Sequence, residues 1–278
     1  MIKRKIMKQI YGQKAVDGAG VHLVRILSNS DVQDFDPFLM LDSFDSTNPS
    51  DYLAGFPMHP HRGIETVTYL ISGRIDHEDS LGNKGTIHSG ECQWMTAGSG
   101  ILHQEMPQKS DRMLGFQLWL NLPRKEKMTA PAYCSITQDL LPVIGSRKAE
   151  IRVISGHFED AAGITPAHIP ATIFDIALPC GESITLPTIP GEPVFIFLIE
   201  GDAVIDGQTI PSKSAVLFGS GDYISVSAHP ESELRFIFFS GKALHEPGAW
   251  GGPIVMNTTE ELNTAFFELQ NHTFIKHD

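Results

Sequence analysis

Cysteine is scarce in this chain. Its 278 residues hold three, Cys92, Cys134 and Cys180, far apart and odd in number. That excludes a disulfide-stapled secreted scaffold and suits separate thiols in a reducing compartment. Basic charge is thin as well: 21 Lys and Arg stand against 33 Asp and Glu, a formal net charge of -12. Without a basic run of five or more residues, the electrostatic footprint for a phosphate backbone is missing, and direct nucleic-acid binding is not expected. No apolar stretch approaches the length of a membrane span, and the opening segment from Met1 to Gln13 lacks the apolar run of a secretory signal. The expectation is a soluble cytoplasmic protein with no membrane contact. The sequons Asn257-Thr258-Thr259 and Asn271-His272-Thr273 carry no weight without a secretory route.

Long helical periodicities are also missing until the very end. What is present is punctuation: 18 prolines and 25 glycines spread over the whole length, between apolar stretches of strand length such as Val21 to Leu27, Thr66 to Ile71, Val194 to Ile199 and Leu234 to Phe239. This predicts an all-β class. The length suits two units of roughly 130 residues, each able to bury its own core. The apolar rhythm loosens between Leu122 and Glu150, so the junction is placed near Ile136 to Arg147, dividing the chain into 1–136 and 137–278. Leu-Ile-Ser-Gly ending at Gly73 and Leu-Ile-Glu-Gly ending at Gly201 hint at duplication. Thr258 followed by Glu261 is a capping-box signature, and Leu262, Ala265, Phe266 and Leu269 recur at helical spacing, predicting a short closing helix whose apolar stripe covers a β-unit.

The chemistry concentrates in two blocks, FPMHPHRGIETVTYLISG from Phe56 and GECQWMTAGSGILHQEMP from Gly90. In an extended strand residues i and i+2 share a face, so His59 with His61, and His103 with Glu105, form two pairs of donors that neighbouring strands can bring onto one ion. Three imidazoles and a carboxylate suit iron(II), and also manganese, nickel, copper or zinc, leaving positions open for substrate and dioxygen. No cysteine has the spacing of a closed structural zinc site. Glu65, four residues after His61, competes with Glu105 as carboxylate ligand if the strand runs unbroken. The other nine histidines, His77 among them, lack a partner at strand spacing and are read as structural or exposed. Gly98-Ser99-Gly100 reads as a turn that aims His103, Trp94 and Met95 as core fillers near the site, and Phe38, Met40, Phe56 and Met58 as candidates for a cavity wall.

At these residues the sequence resembles the pirin family of the cupin superfamily: HPHRG-E-V-Y-L from His59 and QWMTAG-G-ILH-E from Gln93 match its signature. DPFLMLD from Asp36, QLWLNLP from Gln117 and GPIVMNTTEEL from Gly252 extend the likeness over most of the chain. The resemblance implies two cupin barrels face to face, with the metal, iron(II) first, on His59, His61, His103 and Glu105 in the N-terminal one. It favours Glu105 over Glu65 as ligand. Laying Gly201 over Gly73 sets Pro187 and Ile189 where the second barrel would need histidines. The resemblance further implies quercetin 2,3-dioxygenase activity, the opening of a flavonol ring with dioxygen and release of carbon monoxide. In that reaction Glu105 or Glu65 would take the proton of the 3-hydroxyl. It also implies a second reading, in which the redox state of the metal tunes affinity for a protein partner.

Overall fold

Antiparallel strands carry almost all of the regular structure in the computed structural model, which describes residues 1–277. The all-β expectation holds. The chain forms two compact units whose membership crosses chain order. One unit contains Lys14–Val32, Pro37–Thr137 and the chain from Leu244 onward; the other contains Met1–Gln13, Gln33–Asp36 and Gln138–Ala243. A division into 1–136 and 137–278 thus misses both ends. The strand Ile6–Tyr11 pairs with Ser214–Phe218, more than two hundred residues away, while the closing helix Thr259–Gln270 belongs with the early strands. Such pairings satisfy main-chain donors and acceptors that local periodicity does not reveal.

In the first of these units a seven-stranded sheet runs in the order Ala132–Ile136, Cys92–Thr96, Ile64–Ser72, Met113–Asn121, Phe38–Ser46, Val21–Leu27, Gln13–Asp17. A four-stranded sheet runs Phe56–His61, Ile101–Pro107, Arg74–Asp79, Lys84–His88. Register in the larger sheet sets Gln93 beside Thr68, Thr68 beside Gln117, Gln117 beside Asp42 and Asp42 beside Arg25. Because side chains alternate along each strand, a register match places all five on one face, as a polar row. Apolar neighbours flank that row: Leu70, Met113 and Phe44 on one side, and Ile64, Met95, Trp119 and Met40 on the other.

The capping box closes as predicted. The Thr258 hydroxyl accepts from the Glu261 amide at 3.2 Å, and Glu261 accepts from the Thr258 amide at 3.0 Å. Leu262, Ala265, Phe266 and Leu269 pack with Ile254, Met256, Leu102 and Phe274, so the helical stripe is core.

The other unit repeats the plan with a seven-stranded and a four-stranded sheet. Its interior is filled by apolar side chains, including Phe174, Ile196, Val216, Val226, Phe236 and Phe238. Pro187 ends a strand opposite Tyr223, and Ile189 is exposed. Among the described residues no helix is long and apolar enough to cross a membrane.

Candidate metal centre and its cavity

The two histidine-bearing strands are antiparallel neighbours, with Ile101 opposite His61 and His103 opposite His59. Residues 101 to 107 alternate buried and half-buried, so His103 and Glu105 both point inward. The turn at Gly98-Ser99, closed by the Gly100 amide on the Ala97 carbonyl at 2.9 Å, launches this strand. Gly98 has φ +49°, and a Cβ there would strike the Thr129 carbonyl, so the position requires glycine.

His59, His61 and His103 bring ligating nitrogens within 4.8 Å of one another. Their ring centroids lie 4.4 to 5.0 Å apart. Two of the tautomers are fixed by main-chain carbonyls: Nδ1 of His59 lies 2.9 Å from the Pro57 oxygen, and Nδ1 of His61 lies 3.0 Å from the Pro253 oxygen. An oxygen there accepts only if Nδ1 carries the proton, which leaves a lone pair on each Nε2. Those two Nε2 atoms face each other at 3.1 Å. Among the described residues neither nitrogen of the fully buried His103 has a hydrogen-bond partner. Converging lone pairs in a buried pocket ask for a cation, and the donor set fits a divalent transition metal.

Electrostatics keep these rings ready. Burial pushes the His61 imidazolium down to about 3, with the nearby His59 adding to the effect. Burial likewise holds His103 well below the ordinary histidine range, reinforced by His61 and His59. A neutral imidazole is the form that ligates metal.

Glu105 stands outside this group of convergent donors. Its carboxylate is buried and held by two neighbours from the polar row: Thr68 donates to Oε1 at 3.0 Å and Gln117 to Oε2 at 2.7 Å. Gln117 in turn accepts from the Trp119 indole at 3.1 Å, and the Trp119 ring meets His61 edge-on at 4.9 Å. Glu65 does not reach the imidazoles. The strand breaks after His61, at Gly63 with φ +77°, and resumes at Ile64 in the other sheet. There Glu65 lies on the face opposite Thr66 and Thr68, where it accepts from Thr96 at 2.7 Å. His77, read from sequence as structural or exposed, is structural. It is buried, sits opposite Glu105 in register, and stacks on Tyr133 at 4.8 Å with His103 at 5.4 Å.

A cavity of about 670 Å3 opens onto His59 and His61. Met40 and Phe56 line it, as expected from sequence; Phe38 is buried elsewhere in the core, and Met58 is 47% exposed and off the wall. Trp119 and Trp250 form part of the wall, with ring centroids 5.9 Å apart. Trp94 and Met95 are buried, as expected. Sequence reading missed Gln117 and Trp119, although their i, i+2 spacing in QLWLNLP was a usable signal. It also missed Trp250 and Pro253, which arrive from far along the chain with no local signal.

The family model for pirin matches residues 20–120, and that for the pirin C-terminal cupin domain matches residues 173–275. A pirin-like protein of Caulobacter vibrioides is 43% identical over 98% of this chain and 99% of its own. The Mus musculus pirin is 34% identical over 96% of this chain and 93% of its own. Among solved structures, a quercetin 2,3-dioxygenase from Acinetobacter baumannii is 31% identical with a TM-score of 0.89, covering 98% of each chain.

Proposed function

This chain belongs to the pirin family, and from that premise we propose that it is an iron(II)-dependent dioxygenase opening the ring of quercetin-like flavonols. The observation that carries the proposal is the placement of two imidazoles, each with Nδ1 against a main-chain carbonyl, on the wall of a cavity with aromatic sides. The volume, about 670 Å3, lies within the range of pockets that enclose a drug-sized ligand. The likeness to a solved quercetin 2,3-dioxygenase supports the same substrate class.

His59, His61 and His103 would hold the ion, with Glu105 as the fourth donor. When bound, the ion supplies a Lewis acid and a one-electron redox centre for an enol-bearing ring and dioxygen. The chain's own residues do the rest. Glu105, oriented by Thr68 and Gln117, would serve by turns as donor to the ion and as acceptor of the substrate hydroxyl's proton, leaving an electron-rich enolate ring. Trp119, Trp250, Phe44 and Phe56 offer planar faces that hold a flat ring system and exclude water from it.

The test is anaerobic loading with iron(II), metal analysis, and then loss of the flavonol absorption band and release of carbon monoxide on admitting oxygen. One iron per chain with turnover, both lost in His61→Ala at unchanged circular dichroism, is the expected result. One bound metal without turnover of any flavonol sinks the dioxygenase reading and favours a redox-responsive protein-binding role. No bound metal sinks both.

A further inference from the structure

Part of the cavity lining is left unused by the proposed chemistry. Beside the imidazoles and the aromatic faces, this part of the lining is polar, formed by Asp17, Arg25, Ser28, Asn29 and Asp42. Asp42 is buried and grips the Arg25 guanidinium through two parallel bonds, Nε to Oδ1 at 2.9 Å and Nη2 to Oδ2 at 2.7 Å. The same Nη2 donates to Asp17 Oδ2 at 2.7 Å, and Asp17 Oδ1 takes the Gly18 amide at 2.7 Å. This fork fixes the plane of the guanidinium. It leaves Nη1, with two N–H donors, without a protein acceptor among the described residues.

Burying Asp42 on a cavity wall is costly, and the Arg25 pair offsets it. Burial raises the Asp42 carboxyl while the Arg25 bonds oppose that rise. The pair also lies in the polar row that leads through Gln117 to Glu105. Two carboxylates against one guanidinium leave this wall with a net negative charge, so it disfavours a carboxylate or phosphate ligand. A neutral group that both accepts from Nη1 and donates to a carboxylate matches it. A phenolic hydroxyl does both.

Resting on the dioxygenase reading for the identity of the ring system, we infer that Arg25, held by Asp42 and Asp17, is a specificity-determining residue that binds phenolic hydroxyls of the substrate's pendant ring. The substrate class narrows to polyhydroxylated flavonols over bare ones. Anaerobic binding to the metal-loaded protein tests this without turnover, read as quenching of tryptophan fluorescence by quercetin, kaempferol and galangin, which carry two, one and no hydroxyls on the pendant ring.

The expected order of affinity is quercetin, kaempferol, galangin, with about tenfold between the first and last. Arg25→Met should weaken quercetin to the galangin level and leave galangin unchanged. Because that variant strands the buried Asp42, the double change Arg25→Met with Asp42→Leu keeps the wall apolar, and Asp17→Asn removes one acceptor without touching the buried pair. Equal binding of the three flavonols to the unaltered protein, binding of none of them, or discrimination that persists in the double variant overturns the inference. Discrimination without turnover upholds it while the dioxygenase reading fails, and turnover without discrimination does the reverse.

Discussion

His59 and His61 present Nε2 atoms 3.1 Å apart while each Nδ1 is committed to a main-chain carbonyl, that of Pro57 and that of Pro253. Two acceptors cannot hydrogen-bond each other, so the pair is arranged for a cation. One of the two orienting carbonyls lies on the edge strand that carries the histidines. The other comes from nearly two hundred residues downstream, so the tautomer of His61 is set by tertiary structure.

The same burial makes the metal-free protein sensitive to acid. His61 is held down to about 3 and His103 well below its ordinary value, whereas an unfolded histidine titrates near 6.5. Between those limits the unfolded chain binds protons that the folded one does not, so stability is full above about 6.5 and falls as pH drops. Each site contributes about 1.4 kcal/mol per pH unit inside that window. Denaturant midpoints of metal-free protein at pH 7, 6 and 5 should therefore decline steeply, and His61→Ala should decline by one proton's slope less. An identical slope in that variant would refute the link.

The two carboxylates separate cleanly by mutation. Glu105→Gln removes a negative donor beside His103 and is expected to lower metal affinity by about tenfold or more, while Glu65→Gln, on the opposite face of its sheet, should retain one metal per chain. Metal titration under anaerobic conditions reads both. Loss in Glu65→Gln with retention in Glu105→Gln would reverse the ligand assignment.

The histidine pairs were legible because a strand's period of two is local: His59 with His61 and His103 with Glu105 needed only extended backbone. Glu65 misled for the same reason. Its spacing from His61 assumes one strand, and Gly63 turns the chain from one sheet into the other. The closing helix was legible from Thr258 and Glu261, since a capping box is a four-residue signal. Its membership in the early unit was not, nor was the pairing of Ile6–Tyr11 with Ser214–Phe218, because those depend on which distant edges are left open. Arg25, Asp42, Gln117 and Thr68 each look ordinary alone. Only strand register aligns them into a row.

Gln117 joins that row to the centre. Its amide gives a hydrogen to Glu105 at 2.7 Å and another to Thr68 at 3.1 Å, while its carbonyl receives the Trp119 indole. Gln117→Leu has a similar volume but leaves a carboxylate oxygen and an indole N–H unpartnered. The expected outcome is about a tenfold loss of metal affinity or turnover with an unchanged fold, the size usual for groups that orient a metal's ligands. Full activity and affinity in Gln117→Leu would show that Thr68 alone suffices to hold Glu105.

Lys127 supports the centre from behind. Its buried ammonium donates to the Gly63 carbonyl at 2.8 Å, the Val255 carbonyl at 2.8 Å and the Asn121 side chain at 2.5 Å, tying the bend after His61 to the late segment that carries Pro253. Lys127→Met strands three buried acceptors, two of them main-chain, and should cost about 2–4 kcal/mol, a loss partly offset by no longer burying a charge. The sign of the pH dependence distinguishes this from simple loss of packing. Burial pulls Lys127 down to about 7 from an unfolded value near 10.5, so from pH 7 to 9 the unfolded state holds a proton that the folded state releases. Stability of the unaltered protein gains from this site as pH rises, a gain the methionine variant lacks, and the gap between the two should widen from pH 7 to pH 9. Denaturant titrations at both values measure it, and a gap that stays constant or narrows would mean that Lys127 keeps its charge in the fold across that range.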